Sequence, residues 1–273
     1  MNILLEIGKA IIFGMVEGIT EFLPVSSTGH LILLDRVVKL TGSENFVITF
    51  EVVIQLGAIL SVVALYFEEL WPFGKTEKIR YIWRTWLMVF VATIPAFVFG
   101  FLLDDWIESV LFTPVVVSVA LIIYGLILLV IEGWADRHFD RRTPLELLSF
   151  KQAVGIGLFQ CLALVPGTSR SLATILGGIV LGLSRESAAR FSFFLAIPVM
   201  VGASGMKLMK HASAFSLREF GVLGIGFVAS FVVAWLAVKG LMRYIQRHDF
   251  RVFGYYRIFL GLVVLSLLWK GVM

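Results

Sequence analysis

Six stretches of this chain, at about 46–67, 84–103, 113–133, 187–209, 217–240 and 253–272, stay apolar for the roughly 20 residues that a helix needs to cross a bilayer core. Two other regions, at about 1–40 and 151–183, are built differently. Each holds two apolar stretches of some 15 to 20 residues separated by a break of Pro, Gly, Ser and Thr. Pieces this short read as re-entrant helical hairpins rather than full spans. Non-helical backbone at membrane depth survives only where protein buries it or water reaches it, so each break predicts a polar cavity.

The two interrupted regions resemble each other. The first contains Gly14-Met15-Val16-Glu17-Gly18-Ile19-Thr20-Glu21-Phe22-Leu23-Pro24-Val25-Ser26-Ser27-Thr28-Gly29-His30, the second Gly157-Leu158-Phe159-Gln160-Cys161-Leu162-Ala163-Leu164-Val165-Pro166-Gly167-Thr168-Ser169-Arg170-Ser171. With the glycines aligned, Glu17 falls on Gln160 and the prolines fall within one residue of each other. The spans that follow open alike, on Phe50-Glu51-Val52-Val53 and Phe191-Ser192-Phe193-Phe194. Each half, at about 1–134 and 151–273, is thus one hairpin plus three spans. Three is odd, so the halves enter the membrane in opposite senses. The expected fold is an all-α polytopic membrane protein, a single domain built as an inverted-topology repeat.

Composition agrees with this reading. The 273 residues are 59% hydrophobic and 15% charged, where a soluble domain carries about 25% charge. The N-terminal stretch, with Glu6 and Lys9 in its apolar run, does not read as a cleavable leader. A lone cysteine, Cys161, excludes an internal disulfide. The net charge of +4 does not point to nucleic acid, because the basic residues sit in loops beside apolar spans. Lys75, Lys78, Arg80, Arg84, Arg137, Arg141, Arg142, Lys151, Arg243, Arg247 and Arg251 gather on one side; Arg36, Lys39, Lys207, Lys210, Arg218 and Lys270 lie on the other. The richer side is expected in the cytoplasm, which turns both termini and the mouth of the first hairpin outward. Trp71, Trp83, Trp86 and Trp134 on one side, with Trp106 and Trp269 on the other, suit interfacial belts.

Candidate chemistry lies in the two breaks. Glu17 and Glu21 are one helical turn apart on one face. Two carboxylates converging in low dielectric repel unless a divalent cation, Mg²⁺ or Ca²⁺, or a shared proton relieves them. Ser26, Ser27 and Thr28 follow Pro24 and are placed to cap the next helix near Gly29. His30 stands close enough along the chain to handle a serine proton. The second break, Pro166-Gly167-Thr168-Ser169-Arg170-Ser171, puts hydroxyls and a guanidinium at a helix N-terminus, a place that favours anions and above all phosphate. Thr174 lies on the same helical face as Arg170. The alternative for Arg170 is a salt bridge to Glu21 or Glu17 joining the hairpins; both roles hold if a phosphate intervenes when substrate is present. Glu51 and Gln55 could support the site, while Glu186 and Arg190 have the spacing of a structural pair. His138, His211 and His248 show no metal-ligand spacing, and no P-loop or dinucleotide fingerprint is present.

These motifs resemble the undecaprenyl pyrophosphate phosphatase family (BacA, also called UppP). The Glu/Gln-x-x-x-Glu pattern is Glu17 to Glu21, the Pro-Val-Ser-Ser-Thr-Gly-His run is Pro24 to His30, and Pro-Gly-x-Ser-Arg-Ser-x-x-Thr is Pro166 to Thr174. The resemblance implies a multi-pass enzyme of the bacterial inner membrane, its site opening to the outer side. It would remove the terminal phosphate of a polyprenyl pyrophosphate with the help of a divalent cation, and so confer bacitracin resistance. In that setting Glu17, Glu21, Ser27, His30 and Arg170 carry the catalysis, with Glu17 and Glu21 also holding the metal. Ser26, Thr28, Gly167, Thr168, Ser169, Ser171 and Thr174 join Arg170 in binding substrate. Serine or water as nucleophile stays open, as does the oligomeric state, a homodimer included. A transporter or flippase of an anionic polyprenyl lipid is the competing reading, because inverted repeats with broken helices are also transporter architecture.

Overall fold

The computed structural model describes residues 3–73, 79–138 and 143–271, all helix and connection without a strand. Lys75, Lys78, Arg141 and Arg142 of the basic loops lie outside the described residues. Helices α1 (Ile3–Thr20) and α2 (Ser27–Val37) occupy the first interrupted region. They are followed by α3 (Glu44–Leu65), the single turn α4 (Phe67–Leu70), α5 (Ile79–Trp106) and α6 (Pro114–His138). The second interrupted region forms α7 (Phe150–Gln160) and α8 (Arg170–Val180), and α9 (Arg185–His211), α10 (Leu217–Ile245) and α11 (Arg251–Trp269) complete the chain. Six of these, α3, α5, α6, α9, α10 and α11, are long and apolar enough to cross a membrane. They match the six apolar stretches to within about five residues at each end.

Local sequence sets the starts. Ser43 accepts from Phe46 N at the head of α3, and Ser184 from Ser187 N at the head of α9. Capping boxes, Ser149 with Gln152 and Ser216 with Glu219, open α7 and α10. Pro95 and Pro198 lie within α5 and α9 without ending them, as neighbouring helices allow in lipid.

Helix packing determines where the two interrupted regions meet. Helix α1 lies against α10, α7 against α5, α6 against α11, and α3 against both α9 and α10. Absent side chains make two of these contacts close. A Cβ on Gly14 would stand 2.4 Å from the Gly226 carbonyl on α10, and one on Gly157 would stand 2.4 Å from the Ala92 carbonyl on α5. The aromatic core includes Phe22 edge-on to Phe193 at 5.1 Å and Phe13 edge-on to Phe50 at 6.1 Å. Phe97, Phe101, Leu102, Val130, Leu236 and Phe259 instead point outward from the spans, the surface that lipid would cover.

At one end of the bundle a charge network ties three helices. Glu132 of α6, fully buried, takes three contacts from the Arg185 guanidinium at 2.5–3.1 Å and accepts Phe250 N at 3.0 Å. Asp136 joins Arg185 to Arg251. Arg190 pairs chiefly with Glu69, and Glu186 stands 4.0 Å away at helical spacing, consistent with a structural pair.

Candidate active site

The residues between the paired short helices form two turns that touch each other. Helix α1 ends at Thr20, and the chain turns through Glu21 to Val25. Ser26 then caps α2, its Oγ accepting Gly29 N at 3.4 Å. The helix therefore starts at Ser27, two residues before Gly29. In the second turn α7 gives way to a tight helical turn over Cys161–Leu164, and Gly167 follows with φ of 91°. Ser169 caps α8, its Oγ accepting Leu172 N at 3.3 Å. Both cap serines hold left-handed backbone, φ of 72° at Ser26 and 76° at Ser169, and no other non-glycine among the described residues does. Such a conformation costs about 1–3 kcal/mol at a side-chain-bearing residue and persists where the surroundings over-determine it, typically at functional sites.

Direct bonds join the turns. Arg170 Nη2 donates to Glu21 Oε1 at 2.9 Å, with both side chains largely buried, and Arg170 Nη1 donates to the Ser192 carbonyl at 2.9 Å. Ser27 Oγ donates to the other Glu21 oxygen, Oε2, at 3.0 Å. Ser171 Oγ donates to the Leu23 carbonyl at 3.1 Å and lies 3.0 Å from Ser169 Oγ. Thr174 Oγ1 donates to the Arg170 carbonyl at 2.9 Å and rests 2.7 Å from Ser192 Oγ. A serine hydroxyl bonded to a carboxylate that a guanidinium orients can work as a nucleophile with its base and the base's holder.

Glu17 lies deeper than this chain of contacts. It is fully buried, neither carboxylate oxygen meets a hydrogen-bond donor among the described residues, and its charged neighbours are Glu21, whose carboxylate it approaches, Glu51 and Arg170. Gln160, its counterpart in the second turn, is buried with both amide atoms unpartnered. Thr168 is buried with its hydroxyl unpartnered, and the hydroxyl of Thr28, half-buried, makes no hydrogen bond among the described residues.

His30 does not meet Ser27. Its Nδ1 lies 2.8 Å from the Ser26 carbonyl, an acceptor only, so Nδ1 carries the hydrogen. Its Nε2 lies 2.7 Å from the Tyr256 hydroxyl, with the two rings stacked at 5.6 Å. Tyr256 was absent from the sequence-derived candidates, and so was its neighbour Arg257. Arg257 is fully buried, its Nη2 donating to the Gly167 carbonyl at 2.8 Å and its Nη1 reaching the Pro24 carbonyl at 3.4 Å. The signal for Arg257 was available: apart from Lys270 at its far end, it is the one charged residue of the last apolar stretch, and an intramembrane charge is a functional candidate by default. Tyr256 and Ser192 had no such signal.

A divalent cation fits part of this donor set. Glu17 offers two unpartnered buried oxygens beside Glu21, and hard cations take carboxylate oxygen. Glu21 is already bonded through both oxygens, and no group of three His, Cys, Asp or Glu that could hold a metal occurs among the described residues. Such an ion would therefore rely on substrate oxygens for much of its coordination, as Mg²⁺ commonly does.

Comparison with known proteins agrees over nearly the full length. The family model described as bacitracin resistance protein BacA matches residues 10–263. Undecaprenyl-diphosphatase 1 of Oenococcus oeni is 52% identical over 265 residues, covering 95% of each chain, and undecaprenyl-diphosphatase 1 of Clostridioides difficile is 51% identical over 266 residues, covering 96% of each. The undecaprenyl-diphosphatase of Lactobacillus delbrueckii subsp. bulgaricus is 48% identical over 267 residues, covering 96% of this chain and 97% of its own. With its six membrane-competent helices and two joined turns, the chain belongs to the bacitracin resistance protein BacA family.

Proposed function

We propose that this chain is a membrane phosphatase that removes the terminal phosphate of undecaprenyl pyrophosphate, leaving the carrier monophosphate. The observation that carries this reading is the Ser27–Glu21–Arg170 chain of bonds across the two turns. Arg170, at the N-terminus of α8, binds the diphosphate by charge and by its two-pronged geometry. Ser27 Oγ attacks the terminal phosphorus while Glu21 takes its proton. The bond from that phosphorus to the bridging oxygen breaks, and the bridging oxygen stays with the lipid as undecaprenyl phosphate. Water then hydrolyses the phosphoserine, with Glu21 as the proton carrier. A water molecule in the place of Ser27 Oγ is the competing nucleophile. When bound, a divalent cation at Glu17 and Glu21 supplies charge neutralisation on phosphoryl oxygens. Ser26, Ser169, Ser171, Thr168 and Gly167 shape the turns around the anionic head, and Thr28 and Thr174 flank it. His30 serves proton transfer once Nε2 leaves Tyr256.

The finer architecture belongs to the same proposal. The two short helix pairs are re-entrant hairpins, and the halves at about 1–134 and 151–273 are an inverted repeat. Reciprocal packing supports this: α1 of the first half lies on α10 of the second, and α7 of the second lies on α5 of the first. The protein sits in the inner membrane, with its site opening to the outer side and its substrate tail in lipid.

The test is phosphate release by the protein purified in detergent, where no second compartment exists. Release of inorganic phosphate from a polyprenyl pyrophosphate is expected. Binding of that lipid without release would instead favour the transporter reading.

A further inference from the structure

Arg257 stands behind the contacts that substrate must open. It is fully buried in the last helix, no carboxylate pairs with it among the described residues, and its Nε has no partner. Its two terminal nitrogens go to one backbone carbonyl in each turn, Pro24 in the first and Gly167 in the second. Each carbonyl lies three residues before a residue that bears the chemistry, Pro24 before Ser27 and Gly167 before Arg170. We propose that Arg257 is the positioning residue that holds the two turns in register, so that Ser27 and Glu21 of one and Arg170 of the other face the same diphosphate.

The ion pair between the turns cannot hold them in register during turnover. The Arg170–Glu21 pair must loosen for a phosphate to reach Arg170, and the Ser27–Glu21 bond lies within the first turn and ties nothing to the second. Of the hydrogen bonds between the turns among the described residues, what then remains is one serine–carbonyl bond, Ser171 to Leu23, and the guanidinium of Arg257. Arg257 touches only backbone carbonyls, so it can keep its hold while the pair opens. A planar fork donates in two directions at once, whereas a lysine ammonium is a point charge on a flexible stem. The preceding residue of α11 extends the same support, since the Tyr256 hydroxyl meets His30 Nε2. The inference rests on the phosphatase reading, since it is a diphosphate that the two turns must face together.

Three measurements on purified R257K and R257Q test it. Steady-state kinetics on a polyprenyl pyrophosphate should show kcat reduced on the order of a hundredfold in both variants, the scale of a small misplacement of reacting groups. KM should stay within about threefold, because positioning acts on turnover rather than on ground-state binding. Spin labels on Val37 of α2 and Leu158 of α7, both exposed, in a Cys161→Ala background, should give a broader distance distribution in the variants than in the parent. Wild-type turnover by R257K would overturn the proposal. So would a loss accounted for by the unfolded fraction in thermal denaturation, or a rise in KM as large as the fall in kcat. If the parent itself releases no phosphate, the phosphatase reading fails, and the distance distributions alone decide whether Arg257 holds the turns.

Discussion

Arg170 is where geometry and charge make the sharpest demand on a single side chain. One nitrogen holds Glu21, the other holds the Ser192 carbonyl, and the helix behind it adds its positive end. Lysine keeps the charge and loses the fork, so Arg170→Lys should fail nearly as badly as Arg170→Ala, each losing on the order of a hundredfold or more in turnover. Thermal unfolding of the same variants separates chemistry from stability, and normal turnover in the lysine variant would remove Arg170 from the mechanism. The serines divide differently. Ser27→Ala deletes the hydroxyl that Glu21 holds and should abolish nearly all turnover, with phosphoserine trapping as the positive check. Ser26→Gly relaxes the φ of 72° and loses only the cap, a change worth a few tenths of a kcal/mol at such a position. It should leave most of the activity; equal modest losses at Ser26 and Ser27 would favour water as the nucleophile. Residue types and spacing made Glu17, Glu21, Ser27 and Arg170 legible in the sequence as candidates. The left-handed backbone at Ser26 and Ser169 was not, because serine has no preference for that region and only the packed turns impose it. The partner of His30 was equally hidden, since a contact between residues 30 and 256 depends on how α2 and α11 meet.

At the scale of the helix, the apolar stretches carried their own lengths, and cap serines fixed several starts, so the element list was readable before any packing was known. What spacing could not reveal is which helices touch. That depends on small residues whose neighbours lie far away in sequence. Gly157 lets α7 press against the α5 backbone, which carries the second turn towards the first. Gly157→Val would force its Cβ to 2.4 Å from the Ala92 carbonyl, a displacement expected to destabilise by about 1–3 kcal/mol or more. Gly240→Ala, on α10 with open space at its Cβ, is the matched control and should leave unfolding unchanged or slightly later. Thermal denaturation in detergent compares the two, and equal unfolding temperatures would show that the α7–α5 contact tolerates a side chain.

For the whole molecule, the proposed inverted repeat and its orientation stand or fall together, because an odd number of spans per half would bring the turns to a common depth from opposite faces. The reciprocal packing of α1 on α10 and α7 on α5 is what such a repeat requires. The basic loops predict the direction. The charge network of Glu132, Asp136, Arg185 and Arg251 lies at the same end of the bundle as Arg247, while Lys270 follows the far end of α11. That helix is 19 residues long, about 28 Å at 1.5 Å per residue, enough to separate Arg247 and Lys270 by a full hydrocarbon core. With the Lys- and Arg-rich side in the cytoplasm, a cysteine replacing Arg247, in a background lacking Cys161, should react with an impermeant reagent only after lysis. A cysteine replacing Lys270 should react in intact cells once the outer barrier is permeabilised. Labelling of both on one side would deny that α11 spans, and the reverse pattern would turn the molecule over, placing the mouth of the first hairpin in the cytoplasm.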